Sequence, residues 1–236
     1  MAATLLISDA HLGSRVGHAV LQRPAELAGL LTALEPVGHL VILGDLLELN
    51  EGRPPREVLD LAAPTLRGIA EAGLERITLL PGNHDRRLIS PWISAQGADL
   101  RLQATVPPDA TPLLAEVVDQ LSGGGAEVQV VYPGLSLGER IWVTHGHYLD
   151  RAIAPQGPYG FLARPAPTTP SAHERPRTPS RRHRVGGRWI QERILRPELA
   201  PFTAAGLDWQ MRRHSLPALA RVLGALGVEA DYVVFG

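Results

Sequence analysis

The sequence predicts a layered α/β fold, and three observations carry the prediction. Short, continuous apolar runs alternate with segments of helical period. Each early run stops at a Gly or at a cluster of Asp, His and Asn. At 236 residues and 44% hydrophobic content, the chain is long and apolar enough to bury a substantial core.

The first run is Thr4-Leu5-Leu6-Ile7-Ser8, which ends at Asp9-Ala10-His11. Runs of this kind read as strands buried on both faces. Glu26, Leu27, Leu30, Leu31 and Leu34 then share one face of a helix, with Glu26 at its margin. Leu40-Val41-Ile42-Leu43 is the second strand and ends at Gly44-Asp45. Val58, Leu59, Ala62, Leu66 and Ile69 form the next helical face, and Pro64 is expected to kink or break that helix. Ile77-Thr78-Leu79-Leu80 is the third strand and runs into Pro81-Gly82-Asn83-His84-Asp85. Strand and helix in alternation imply a sheet with helices on its faces. Polar groups at the carboxyl ends of such strands share one crevice.

Beyond Asp85 the periodicity loosens. Pro112 to Leu121 reads as a helix closed by Gly123-Gly124-Gly125, and Glu127 to Tyr132 as a strand. Arg140 to Thr144 is a clearer strand and ends at His145-Gly146-His147. The stretch from Arg164 to Arg188 is rich in Pro and Arg with one acidic residue, Glu174, and is expected to be a flexible loop. Trp189 to Leu195 and Leu216 to Leu226 read as helices, and Asp231 to Phe235 as a last strand. The expectation is a single domain over residues 1–236, with a helical cap inserted at about 150–230 that contains the flexible 164–188 tract.

Composition narrows the chemistry. The chain has no cysteine, which excludes a thiolate nucleophile, a disulfide framework and a zinc–thiolate site. Its formal net charge of −1 supplies no global field for nucleic acid. No apolar run is long enough to span a bilayer, and the first residues lack a basic segment with a long apolar run behind it, so the chain is expected to be cytoplasmic.

Each polar cluster alone has a commoner explanation. Asp-x-His at a strand end is usually a turn, Gly-Asp a helix entry, and Gly-Asn-His-Asp a tight turn. Together they assemble a set of oxygen and nitrogen donors of the kind that first-row divalent metals accept. Asp45, in the middle of the set, is placed to bridge two cations. In order, Asp9-x-His11, Gly44-Asp45, Gly82-Asn83-His84-Asp85 and His145-Gly146 resemble the first four motif blocks of the calcineurin-like metallophosphoesterases. The wording Ser8-Asp9-Ala10-His11-Leu12-Gly13 and Gly44-Asp45-Leu46-Leu47-Glu48 is nearest to the bacterial branch containing UDP-2,3-diacylglucosamine pyrophosphatase.

The resemblance implies a four-layer αββα sandwich with metal-dependent hydrolysis of a phosphomonoester, phosphodiester or pyrophosphate bond. It implies two divalent ions, with Mn first and Fe or Zn as alternatives, and a nucleophile that is a metal-bridging hydroxide rather than a side chain. Asp9 and His11 would hold one ion, Asn83 and His145 the other, and Asp45 both. His84 would act on the leaving group, with Asp85 orienting its ring. Arg86 and Arg87 either meet a substrate phosphate or lie on the surface.

The expected substrate is a phosphorylated small molecule or lipid precursor. The alternatives are a metal-binding or protein-binding scaffold without turnover, and a nuclease that uses the Arg-rich tract. Glu48 stands where the family often has Asp and is expected to support a neighbour or to have no role. His147 is read as a core or supporting histidine, and His18 and His39 as surface residues; His173, His183 and His214 carry no ligand spacing. The family's fifth block, Gly-His-x-His, would follow the last strand. Tyr232 to Gly236 looks like that strand and its Gly, so the sequence is expected to be a piece of a longer chain.

Overall fold

A computed structural model describes residues 3–96, 101–147 and 220–236, except 221, 222 and 225. The chain divides into two compact units, residues 1–147 with 228–236, and residues 148–227. Most of the expected cap, the 164–188 tract and the Trp189–Leu195 helix lie outside the described residues, as does most of the Leu216–Leu226 helix.

The first unit is built on two sheets that share one long strand. β1 (Ala3–Ile7), β2 (Val37–Leu43) and β3 (Arg76–Leu80) run parallel, with Leu5 opposite Leu40 and Leu40 opposite Ile77. β3 pairs in parallel with the first half of β5 (Glu127–Leu137), and β4 (Gln103–Val106) adds antiparallel on its other side. The second half of β5 leaves for the second sheet, where it pairs antiparallel with β6 (Ile141–Thr144). β7 (Tyr232–Phe235) completes that sheet, parallel to β6.

Alternation along β2 sorts its side chains between two layers. Val41 and Leu43 pack with Leu80, Val131, Leu135 and Val143, a cluster that joins residues of both sheets. Leu40 and Ile42 point to the opposite face and are fully buried. The helices are α1 (Pro24–Leu34), α2 (Pro55–Ala70), α3 (Ser90–Gln96) and α4 (Pro112–Ser122). α2 packs against both α1 and α4 and buries Val58, Leu59, Ala62, Leu66 and Ile69, the face its periodicity predicted. α4 is capped by Thr111, whose hydroxyl accepts from Leu114 N at 3.1 Å.

Two expectations are corrected here. Pro64 does not break α2, which runs unbroken from Pro55 to Ala70. Pro64 and Asp60 both lie on the exposed face, so the Asp60 carbonyl that loses its helical partner can turn to water. β5 is also longer than the Glu127–Tyr132 segment that its weak alternation suggested. Its continuation, Pro133-Gly134-Leu135, crosses between sheets, and a Pro there has no ladder N–H to lose where pairing changes partner.

Candidate metal centre

The carboxyl ends of β1, β2, β3 and β6 deliver the polar clusters to one place. Asp9, His11 and Asp45 have φ of 56°, 43° and 53°, in the left-handed region that L residues rarely occupy. Such conformations cost on the order of 1–2 kcal/mol each. Parallel backbone bonds hold them: Asp9 N donates to Gly44 O at 3.2 Å, His11 N to Asp45 O at 2.8 Å, and Leu12 N to Leu46 O at 2.9 Å. The loops after β1 and β2 therefore lie side by side, and the strain turns their side chains toward a shared space.

Two glycines let the loops close. A Cβ on Gly44, whose φ is +88°, would sit 2.3 Å from the His145 ring. A Cβ on Gly82 would sit 2.2 Å from Asp45 Oδ1. Neither site has room for a side chain, so the Gly of each motif is a packing requirement of the ligand beside it.

Asp45 is the hub. Its Oδ1 accepts from His84 N at 2.8 Å, which orients the carboxylate. Its Oδ2 lies 3.8 Å from His11 Nε2 and 3.4 Å from His145 Nε2. Asp9 Oδ1 is 3.6 Å from the same His11 nitrogen, and Asn83 Oδ1 is 3.0 Å from the same His145 nitrogen. Asp45 Oδ2 thus lies between two pairs of donors: Asp9 and His11 on one side, Asn83 and His145 on the other. Candidate ligand atoms of Asp9, His11 and Asp45 all lie within 4.8 Å of one another.

The donor set fits cations. His145 Nδ1 donates to Leu43 O at 3.1 Å, which leaves a lone pair on Nε2 of the neutral ring. His11 Nδ1 lies 3.1 Å from Glu48 Oε2, and an ionised carboxylate only accepts, so His11 Nε2 also presents a lone pair. Bare nitrogens and carboxylate or amide oxygens facing one another at these distances need a positive charge between them. Without a metal, protons take that place. Burial alone would lower His145, yet the Asp45 carboxylate raises it overall. Burial alone would raise Asp45, yet His145 and His84 hold it below its ordinary range.

The carboxylate against the His84 ring is Glu48, not Asp85. Glu48 Oε2 is 2.6 Å from His84 Nδ1, and the side chain is 1% exposed. Burial alone would raise Glu48, but bonds from His84, Asn50 and His11 keep it below its ordinary value. The Glu48 bond is the main reason His84 is raised. Glu48 thereby fixes the tautomer of both His11 and His84, whose rings meet edge to face at 4.7 Å.

Asp85 is fully buried and does another task. It accepts Gly82 N at 2.6 Å, Leu46 N at 2.8 Å and Leu47 N at 3.3 Å, tying the third loop to the second. Burial pushes it up to about 6, Asp45's charge adds to this, and the three N–H groups oppose it. The ring-orienting role expected of Asp85 is therefore corrected to Glu48. The sequence held a signal for this: an acid inside Leu46-Leu47-Glu48-Leu49 cannot be buried without partners.

His147 is buried beside the cluster, its ring 5.6 Å from that of His145. Its Nε2 lies 3.1 Å from the Tyr132 hydroxyl, and burial, with His145 and Arg86 adding, pushes it down to about 3. Arg87 Nη1 reaches Leu49 O at 3.4 Å, and Arg86 lies within electrostatic range of His147. His39 is not the plain surface residue expected. It is half-buried between strands, with Nε2 at 2.8 Å from the hydroxyl of fully buried Thr78.

A family model described as calcineurin-like phosphoesterase matches residues 3–236. The chain belongs to the calcineurin-like phosphoesterase family. The resemblance seen in the motif blocks is thus met over the length of the chain, and membership makes the protein a metal-dependent phosphoester hydrolase by class. No curated protein matches it. Among the described residues, no helix is long and apolar enough to cross a membrane.

Proposed function

We propose that this phosphoesterase hydrolyses a phosphomonoester, phosphodiester or pyrophosphate bond at a pair of divalent cations that share Asp45. The observation that carries the reading is the position of Asp45 Oδ2, within 3.8 Å of His11 Nε2 and 3.4 Å of His145 Nε2, with an oxygen ligand at hand for each. Asp9 and His11 would hold one ion, and Asn83 and His145 the other. Mn is the first choice, with Fe and Zn suited to the same nitrogen and oxygen donors. Bound there, the pair supplies charge to neutralise phosphoryl oxygens and lowers the pKa of a coordinated water.

The remaining chemistry belongs to the chain. His84 is a third exposed, so it faces the space where a substrate enters. Glu48 accepts from its Nδ1–H and favours the protonated ring, whose Nε2–H can donate a hydrogen bond or its proton to the departing oxygen. Asp85 keeps the loop carrying Asn83 and His84 against the loop carrying Asp45. Arg86 and Arg87 follow on the same turn as candidate phosphate contacts.

The motif wording around Asp9 and Asp45 supports a nucleotide-linked lipid precursor, UDP-2,3-diacylglucosamine, as the first natural substrate to assay. The general test is hydrolysis of p-nitrophenyl phosphate and bis-p-nitrophenyl phosphate by the full chain with added Mn. We expect Mn-dependent turnover that falls by about 10²-fold or more in His84→Ala. Turnover that is unchanged in His84→Ala refutes the role given to that residue, and the absence of Mn-dependent turnover refutes the reading as a whole.

A further inference from the structure

The loop after the first motif carries a histidine that the metal centre does not use. His18 is exposed, and its ring stands edge-on to the His11 ring with centroids 5.9 Å apart. Among the described residues, no ring nitrogen of His18 has a hydrogen-bond partner. A polar ring at the rim of a cation site, with both nitrogens open, is available to a ligand that the cations hold.

The loop does not leave His18 loose. Gly13 N donates to Gln22 Oε1 at 3.0 Å, and Gln22 Nε2 donates to Leu61 O at 2.8 Å, tying the loop to α2. Ser14 Oγ donates to Glu51 Oε1 at 3.1 Å, and Arg15 N bonds the other oxygen of the same carboxylate. Val20 N donates to His18 O at 2.7 Å and closes the segment from the far side. Gly13, with φ +87°, admits the close approach: a Cβ there would lie 2.8 Å from Val58 Cγ1. A braced backbone spares the loop the cost of ordering when a ligand binds, so that only the ring's own rotation is lost.

We propose that His18 is a substrate-positioning residue that hydrogen-bonds an oxygen of the phosphate group held at the metal centre. The proposal rests on the function proposed above, since it needs a phosphate at the cations. His18 supplies none of the ligand atoms, so its contribution is to ground-state binding and should leave metal loading alone.

The test is calorimetric titration of inorganic phosphate into the Mn-loaded full chain, for wild type, His18→Ala and His18→Gln. Removal of one such hydrogen bond is expected to weaken phosphate roughly five- to tenfold in His18→Ala. His18→Gln retains a donor and should keep most of the affinity, while Mn affinity and stoichiometry stay at wild-type values in both. With aryl phosphate, His18→Ala should raise KM and leave kcat in place. Unchanged phosphate affinity in His18→Ala overturns the proposal, as does a parallel loss of Mn affinity, which would make His18 a support for His11 instead. A wild-type, Mn-loaded chain that neither binds phosphate nor turns over aryl phosphate overturns the function proposal and this one with it.

Discussion

Glu48→Gln is the substitution that separates the two carboxylates near His84. In the native site one oxygen of Glu48 receives two ring N–H groups, at 3.1 Å from His11 and 2.6 Å from His84. Hydrogen bonds to a charged partner contribute about 1.5–3 kcal/mol, against about 0.5–1.5 kcal/mol for neutral ones. Gln keeps an acceptor but loses the charge, so about 1–2 kcal/mol of stabilisation should be lost at neutral pH. Burial opposes the charge on Glu48 but loses to its partners, so its pKa lies below the ordinary 4.5; His84 lies above its ordinary 6.5. The pair's contribution is therefore full between those two values. It fades as pH falls through the depressed pKa of Glu48 or rises through the raised pKa of His84. In kinetics, His84 without its charged partner gives up its proton at lower pH. The alkaline limb of kcat should move down in pH, and kcat at neutral pH should fall by about 10- to 100-fold. Asp85→Asn is the contrast. It leaves at least one of three buried N–H groups unpaired, at about 1–3 kcal/mol, and should lower Tm while moving the alkaline limb less than Glu48→Gln does, because the Asp85 charge is a smaller cause of the raised His84 pKa than the Glu48 bond. The assay is kcat against pH for both variants, with thermal unfolding alongside. A shifted limb in Asp85→Asn and an unshifted one in Glu48→Gln would refute the assignment.

Other outcomes follow from the same geometry. Gly82→Ala should displace Asp45, since the new Cβ falls 2.2 Å from its Oδ1, and should weaken Mn binding in calorimetry while far-UV circular dichroism stays native; unchanged Mn affinity would show that the loop absorbs the methyl group. Pro64→Ala restores an N–H in the exposed middle of α2 and should raise Tm, at about 2–4 °C for each of about 1–2 kcal/mol gained; a lower Tm contradicts the account of that helix. His39 is lowered chiefly by burial, with Arg76 adding, so the unfolded chain takes up its proton first as pH falls. Stability should drop on the acid side of its ordinary 6.5, and His39→Gln should gain Tm relative to wild type at pH ~5.5 compared with pH ~7.5, whereas an equal difference at both would exclude the effect.

Most of the frame was legible because the signals were local. Leu40 to Leu43 and Ile77 to Leu80 are apolar without interruption, and each ends at a Gly that packs against a ligand. The crossing of β5 between sheets was not legible, since the apolar alternation stops at Tyr132 and nothing local shows that Pro133 and Gly134 continue the strand toward a different partner. At the site, residue types and order located the donor cluster, but they could not apportion roles between neighbouring acids. Asp85 is adjacent to His84, and Glu48 is 36 residues away, yet the turn at Gly82 points Asp85 into the backbone and the β2 loop brings Glu48 to the ring. His39 reads as a surface residue for a similar reason: a lone histidine has no periodicity, and only packing decides what it faces.

Asp45 is proposed to be the carboxylate that two cations share. Titration of Mn into the metal-free full chain, followed by electron paramagnetic resonance, tests it most directly. Two Mn ions per chain with a spin-coupled spectrum are expected, with loss of the coupling in Asp45→Ala. A single uncoupled ion in the wild type, or a coupled pair that survives Asp45→Ala, would contradict it.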